Sequence, residues 1–401
     1  MTSTKRTSRV GKSIAAFALC VAVASCSSDG GGAGGNGGDS GLRGEVLASL
    51  GQSVVVPLQQ QFAARAAELE TALAEATPEP GGRDAAQEAW RQAMNPWQEL
   101  EMMQLGPSGS SLTIMGGQDL RARIYSWPIL NLCLVDQQTV EEGYDDPDAL
   151  AAVVGGPLGL WAIEYLLFNE STENNCSALN TINQDGTWDA MADMIPQRRL
   201  DYAAALSTLV RRRADDLVAA WAPSGGNFIA ELTDPGRSGA VYGTAQEGLN
   251  AVSDAMFYLD KETKDMKLAE PLGITNCATA TCPEAIESQW ATRSKQHVLA
   301  NLRGFQVLFL GASPGTDALG FDDLLIDMGA PDVAGDMAQA IADAITATEA
   351  IPGTFFEALE QNPTEMEAAH SAIREVTDIL KADFLSVLDL EAPDRAAGDN
   401  D

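Results

Sequence analysis

Apolar positions recur at helical spacing along most of the chain, and alternating strand-type runs are scarce. The pattern predicts a helix over 45–75 with a bend at Pro57, then a break from Thr77 to Gly82. It resumes over 83–104, where Trp90 and Trp97 share one face and Pro96 introduces a second bend. After a loop from Gly106 to Gly117, a helix over 118–141 is interrupted at Pro128. A turn at 143–147 leads to a short helix over 147–154 and a compact, strongly apolar helix over 158–169. A loop runs on to about Thr187, and a long helix over 188–222 carries Pro196 near its start. Further helices are expected over 238–266, 283–310, 333–359 and 363–389. Long helices joined by Gly/Pro loops define an all-α protein of up-and-down bundles.

Composition changes the picture in one respect. The 401 residues hold 25 Lys and Arg against 57 Asp and Glu, a formal charge of −32. Hydrophobic residues make up 45% of the chain, enough for a sizeable core, so the acidity belongs to the surface. Such a surface repels phosphate and excludes nucleic acid as a partner. The three arginines Arg211, Arg212 and Arg213 read as a solvated helix face. With only His297 and His370 present, no site can use three imidazoles.

The first residues form an address. Lys5, Arg6, Arg9 and Lys12 precede an apolar run from Ile14 to Ala24, too short to span a bilayer. Val23-Ala24-Ser25-Cys26 resembles the lipobox of bacterial lipoproteins, with Cys26 the lipidated first residue after a signal peptide of residues 1–25. Ser27 and Ser28, with no Asp directly after the cysteine, suit sorting to an outer membrane. Residues 26–41 form a Gly-rich tether, and 392–401 a polar tail. The expected setting is the cell envelope, with the membrane reached through the lipid on Cys26.

Four cysteines remain in the body, and they allow three pairings. Cys277 and Cys282 bracket a short Ala/Thr loop and suit a local disulfide, which leaves Cys133 with Cys176. A metal site is the alternative, but the spacing is wrong for zinc and an exported chain favours disulfides.

The chemistry centres on Gly159-Leu160-Trp161-Ala162-Ile163-Glu164-Tyr165-Leu166-Leu167-Phe168. A helix apolar nearly all round is buried, and Glu164 is buried with it. Burial raises the pKa of a carboxyl unless a cation or hydrogen-bond donors hold it charged, which makes Glu164 a site candidate. The alternative is a structural glutamate bonded to an arginine or a helix end. Arg123 is the expected counter-charge, next to Arg121, Tyr125 and Trp127 before Pro128. A second constellation sets Glu247, Asn250, Asp254 and Tyr258 on one helical face, as oxygen donors for a cation or as a solvated acidic face. Asp260, Lys264 and Lys267 are expected to pair along the helix surface. His297 shares a face with Ile286, Trp290 and Gly304 and reads as a packed or interface histidine, and His370 as exposed.

These segments resemble the imelysin family, whose signature G-x-H-x-x-E leads into a Leu-Leu-Phe run. Gly159, Glu164, Leu166, Leu167 and Phe168 match it. The Trp90/Trp97 helix, Leu105-Gly106-Pro107, Ile124 to Pro128 and Lys267 to Gly273 agree as well, over nearly all of 42–390. The resemblance implies an exported protein of two four-helix bundles, here 42–225 and 226–391, with a site between them. It also implies a link to iron regulation or uptake, in a family first described as metallopeptidases.

The signature histidine is Trp161, whose indole only donates, so Glu164 lacks the partner of a hydrolytic zinc site. The leading expectation is therefore a non-catalytic lipoprotein that binds a ligand or partner in an inter-bundle cleft, linked to iron or haem acquisition. Glu164 is its polar anchor and best metal candidate, Trp161 its wall, and Trp127 and Tyr165 neighbours in the same space. Iron or haem are possible ligands and zinc is disfavoured. The alternatives are an imelysin-type metallopeptidase and an acidic envelope adaptor for a basic protein partner.

Overall fold

The computed structural model describes residues 39–152, 157–313 and 316–393. The signal peptide, the lipobox cysteine, most of the tether and the tail beyond 393 lie outside these residues. The helices that frame the site are α1 (Asp39–Ser49), α2 (Val56–Ala74), α3 (Asp84–Leu100), α4 (Leu120–Ile124), α5 (Leu132–Glu141), α6 (Gly159–Phe168) and α7 (Ile195–Trp221). In the second half come α8 (Ala245–Met256), α9 (Ser294–Leu310), α10 (Pro331–Ala350) and α11 (Thr364–Ile379). Among the described residues there is no strand, only one isolated bridge between Tyr125 and Gly159.

Prolines and glycines decide where the predicted helices divide. Pro57 has no N–H and its ring would crowd the carbonyl four residues back. The chain answers with a wide π turn over Leu50–Val55, ahead of the proline, and α2 begins at Val56 with Pro57 in its first turn, where no N–H is needed. Pro96 is accommodated inside α3, which runs on to Leu100. At Pro128 a cis Trp127–Pro128 peptide follows the end of α4. The helix restarts at Leu132, where the Asn131 side chain accepts from the Leu134 N–H at 3.0 Å.

Three predicted helices are shorter than expected. The one over 238–266 begins only at Ala245, because Gly236 and Gly239 take φ +80° and Thr244 supplies the N-cap. The one over 333–359 ends at Ala350. After Gly353 a new helix, Phe355–Gln361, starts from a capping box in which Thr354 and Glu357 satisfy each other's backbone N–H. The one over 283–310 begins at Ser294. Residues 286–293 are instead a loop whose N–H groups serve a side chain.

Packing joins helices within each half of the chain, including some far apart in sequence. α2 lies against α3 and α7, and α7 against α6. In the second half α10 packs on α9 and α11, and a π segment over Leu259–Ala269 packs on α9 and α11. The two sets meet where α9 crosses α3. A Cβ at Gly304 would come within 2.4 Å of the Glu99 carbonyl oxygen, so only glycine permits that approach. Disulfides Cys133–Cys176 and Cys277–Cys282 tie two loops, in the expected pairing. No helix among the described residues is long and apolar enough to cross a membrane.

Candidate functional site

The signature segment forms α6 with Leu160, Ile163, Leu166 and Leu167 wholly buried. Its first residue, Gly159, has φ +80°, and a side chain there would meet the Ile124 carbonyl oxygen at 2.6 Å. The glycine thus lets the start of α6 lie against the end of α4. Trp90 fixes the same turn by donating its indole N–H to the Leu160 carbonyl at 2.9 Å.

Glu164 is fully buried, as the sequence required. Its Oε1 accepts three hydrogen bonds from the 286–293 loop: Ser288 Oγ at 2.9 Å, Trp290 N at 3.1 Å and Ala291 N at 3.0 Å. These donors are why the loop is not helix: its N–H groups point at a carboxyl group and not back along a helix axis. Burial pushes the Glu164 carboxyl up to about 8, against the pull of these donors and with the help of nearby Glu287. Its second oxygen, Oε2, has no hydrogen-bond partner. One turn back on α6, Trp161 is half-buried, and its indole nitrogen likewise has no partner.

Beside this cradle lies a buried ionic centre. The Lys267 ammonium donates to Gln98 Oε1 at 2.7 Å and Asn301 Oδ1 at 2.8 Å, and meets Glu287 Oε1 at 3.1 Å. The ring centroids of Trp127 and Tyr258 lie 5.2 and 5.3 Å from it. Glu287 Oε1 also accepts from Tyr125 Oη at 2.7 Å and Gln98 Nε2 at 3.0 Å. His297 Nδ1 is 3.1 Å from Glu287 Oε2, close enough to feel its charge but off the line of a hydrogen bond.

Burial alone would raise the Glu287 carboxyl, but Lys267 and His297 outweigh it and hold the group below the usual carboxylate range. Burial lowers Lys267 and His297, partly offset by Glu287. A further pair closes the centre. Arg121 holds Glu101 through Nε at 3.0 Å, and Tyr258 Oη donates to Glu101 Oε2 at 2.7 Å. Arg121 also donates to the Trp127 carbonyl at 2.8 Å, which fixes the tryptophan beneath the ammonium.

Several expectations need correction. Arg123 is exposed, and Glu164 is met by neutral donors from the far loop. Arg121, two residues earlier and thus on the other side of the short α4, takes the inward place, with Glu101 as its partner. Asp260, Lys264 and Lys267 do not lie on the surface: their side chains are at most 1% exposed. Buried positions of the π segment recur every four residues, so its charges face inward and meet partners there. Lys264 lies 3.4 Å and Lys381 3.0 Å from Asp260.

Tyr165 has partners of its own. Its hydroxyl donates to Asp136 at 2.6 Å, and its ring stands edge-on to Trp290 at 5.0 Å. Tyr258 leaves the acidic stripe for the ionic centre, while Glu247, Asn250 and Asp254 line a separate surface cavity of about 270 Å³ with Tyr242 and Glu391. His297 is buried against Glu287, and His370 is half-buried and not exposed. Arg211, Arg212 and Arg213 pair with surface carboxylates, as a solvated face should.

Gln98, Glu101, Glu287, Ser288 and Asn301 join the site without having been singled out. Their signal was faint: a polar residue at an otherwise apolar helix position, as at Asn301 between Ala300 and Leu302. Among the described residues no group of three or more His, Cys, Asp or Glu side chains is placed to hold a metal ion.

Comparison with known proteins now bears on the site. The family model for imelysin, under the heading Peptidase M75, matches residues 55–382. No curated protein matches the chain. One similar crystal structure is of a protein assigned as an iron-regulated protein A precursor from Parabacteroides distasonis. It has TM-score 0.67 and 18% identity over 87% of this chain and 94% of the other. An imelysin-like protein from Psychrobacter arcticus has TM-score 0.65 and 15% identity, covering 88% and 98%. At such identities these structures establish the shared all-helical fold. The match of the family model over most of the chain establishes more: this protein belongs to the imelysin family.

Proposed function

We propose an exported, lipid-anchored protein with an iron-related, non-hydrolytic role, which binds an iron or haem ligand, or an iron-uptake partner, beside Glu164. The lipid is carried on Cys26 and the Gly-rich segment to residue 41 serves as the tether. The two disulfides support an oxidising compartment. The iron link is supported by the family and by the description of the Parabacteroides relative.

One observation carries the non-hydrolytic reading. The cation at the heart of the site is the protein's own Lys267 ammonium, surrounded by Gln98, Asn301, Glu287 and two aromatic faces. An ammonium so placed neutralises Glu287 and activates no water. Trp161, a donor, stands where the signature has a base and ligand. The reading of a binding site is supported by Glu164 Oε2 and the Trp161 indole N–H, two polar atoms one helical turn apart in the chain that are buried without a hydrogen-bond partner.

The test uses protein purified from its own host, grown with and without iron. The expected result is a higher level under iron starvation, calorimetric binding of iron or haem that is lost in Glu164→Ala, and no hydrolysis of unfolded protein substrates. Stoichiometric zinc together with hydrolysis abolished by Glu164→Gln would overturn the reading in favour of a metallopeptidase. A partner held by the acidic exterior would instead show binding that weakens steeply with salt.

A further inference from the structure

A second cavity, remote in character from the ionic centre, lies where α2 and the end of α7 meet the segment that follows α7. Its volume is about 400 Å³, within the range of small-molecule sites. Val56, Val218, Pro223 and Ile229 contribute apolar wall, Gln52, Gln60, Asn227 and Thr233 contribute polar side chains, and Gln59 and Trp221 border it from the interior. None of the residues lining it is charged, in a chain of net charge −32.

Two groups are left unsatisfied there. Gln59 is 2% exposed and its Oε1 has no hydrogen-bond partner; Trp221 is 1% exposed and its Nε1 has none either. An amide oxygen only accepts and an indole N–H only donates, so the two are complementary. Leaving each unmet costs roughly 1–3 kcal/mol, which a folded protein seldom tolerates without a use for it.

The cavity is also built on a firm wall. Gln52 and Val56 come from the π turn and the residue after it. Within that turn Gly51 is pressed so closely on the Ile229–Thr233 helix that a Cβ would come within 2.8 Å of Ile229 and 2.9 Å of Leu232. Irregular turns of this kind recur at functional sites. Trp221 is held edge-on to Phe228 at 5.0 Å, so its N–H direction is set before any ligand arrives.

We infer that this cavity binds a small, uncharged molecule that accepts a hydrogen bond from Trp221 Nε1 and donates one to Gln59 Oε1. A neutral carboxamide or alcohol has that pattern. An anion meets the field of an acidic protein, and a cation finds no carboxylate in the lining. The site is independent of the Glu164 centre.

Benzamide is the direct probe, with benzoate, benzylamine and toluene as controls of similar shape. Binding is followed by calorimetry and by the indole N–H resonance of Trp221, assigned through its loss in Trp221→Phe. Benzamide is expected to bind more tightly than all three controls and to shift that resonance. Gln59→Leu and Trp221→Phe each remove one hydrogen bond and are expected to weaken benzamide about tenfold while leaving toluene unchanged. Equal binding of benzamide and toluene, an unmoved Trp221 resonance, or benzamide affinity unchanged in Gln59→Leu would overturn the assignment and leave a water-filled cavity. Gln59→Leu keeps the test decisive should Trp221→Phe fail to fold.

Discussion

Glu164 and Glu287 are both completely buried, in adjacent parts of one site, yet they ionise in opposite directions. Glu287 has an ammonium at 3.1 Å and is held below the usual carboxylate range. Glu164 has three neutral donors on one oxygen and is pushed up to about 8. Equal burial therefore does not set the charge; a cation within contact distance does. The first carboxylate is half of a settled ion pair. The second is a neutral acid at physiological pH, with one oxygen that no other group of the protein bonds.

The contrast can be broken most severely from the lysine side. Lys267→Met removes the cation but leaves Glu287 buried among Gln98, Tyr125 and His297. A loss of about 3–5 kcal/mol is expected in urea unfolding, the cost of stranding one member of a buried pair. A variant as stable as the parent would mean that Lys267 does not compensate Glu287.

Removing the other carboxylate sharpens the comparison through pH. Because the folded Glu164 pKa is raised, folding is favoured below the ordinary carboxylate pKa of about 4.3, and that advantage is lost as pH rises toward about 8. Over that interval unfolding free energy should fall by a few kcal/mol, at ~1.4 kcal/mol per pKa unit. Glu164→Gln keeps the shape and should flatten that part of the profile. An identical slope in the parent and in Glu164→Gln would assign the titration elsewhere.

Smaller effects test the frame around the two carboxylates. Gly159→Ala forces a Cβ onto the Ile124 carbonyl at φ +80°, and about 1–3 kcal/mol of stability should be lost in thermal unfolding. Arg123→Ala should change stability by no more than about 0.5 kcal/mol, since its exposed side chain does not neutralise Glu164. A large loss there would restore the arginine as the counter-charge.

Much of this was legible in the sequence. The apolar run around Glu164 required its burial, the cysteine spacing suggested both disulfides, and helical periodicity established the fold class. What escaped reading was non-local. Lys267 looks like a surface residue in Asp260-Lys261-Glu262-Thr263-Lys264-Asp265-Met266-Lys267, because a charged run ordinarily faces water. Only the widened π segment turns it inward, onto Gln98 and Asn301, which are distant in the chain.

The 286–293 loop was hidden for a related reason. Its N–H groups are committed to Glu164, more than a hundred residues earlier, and nothing local says so. The break after Ala350 was different, since Pro352, Gly353 and the Thr354/Glu357 box spell it out in the sequence itself.

The decisive measurement is a carbon-13 titration of the glutamate side-chain carboxyls in the folded protein between pH 4 and 9. One resonance, absent in Glu164→Gln, should titrate near 8, while Glu287 stays ionised throughout. Finding the Glu164 resonance already ionised at pH 5 would contradict the account, for the carboxyl would then be a charged structural ligand of its loop.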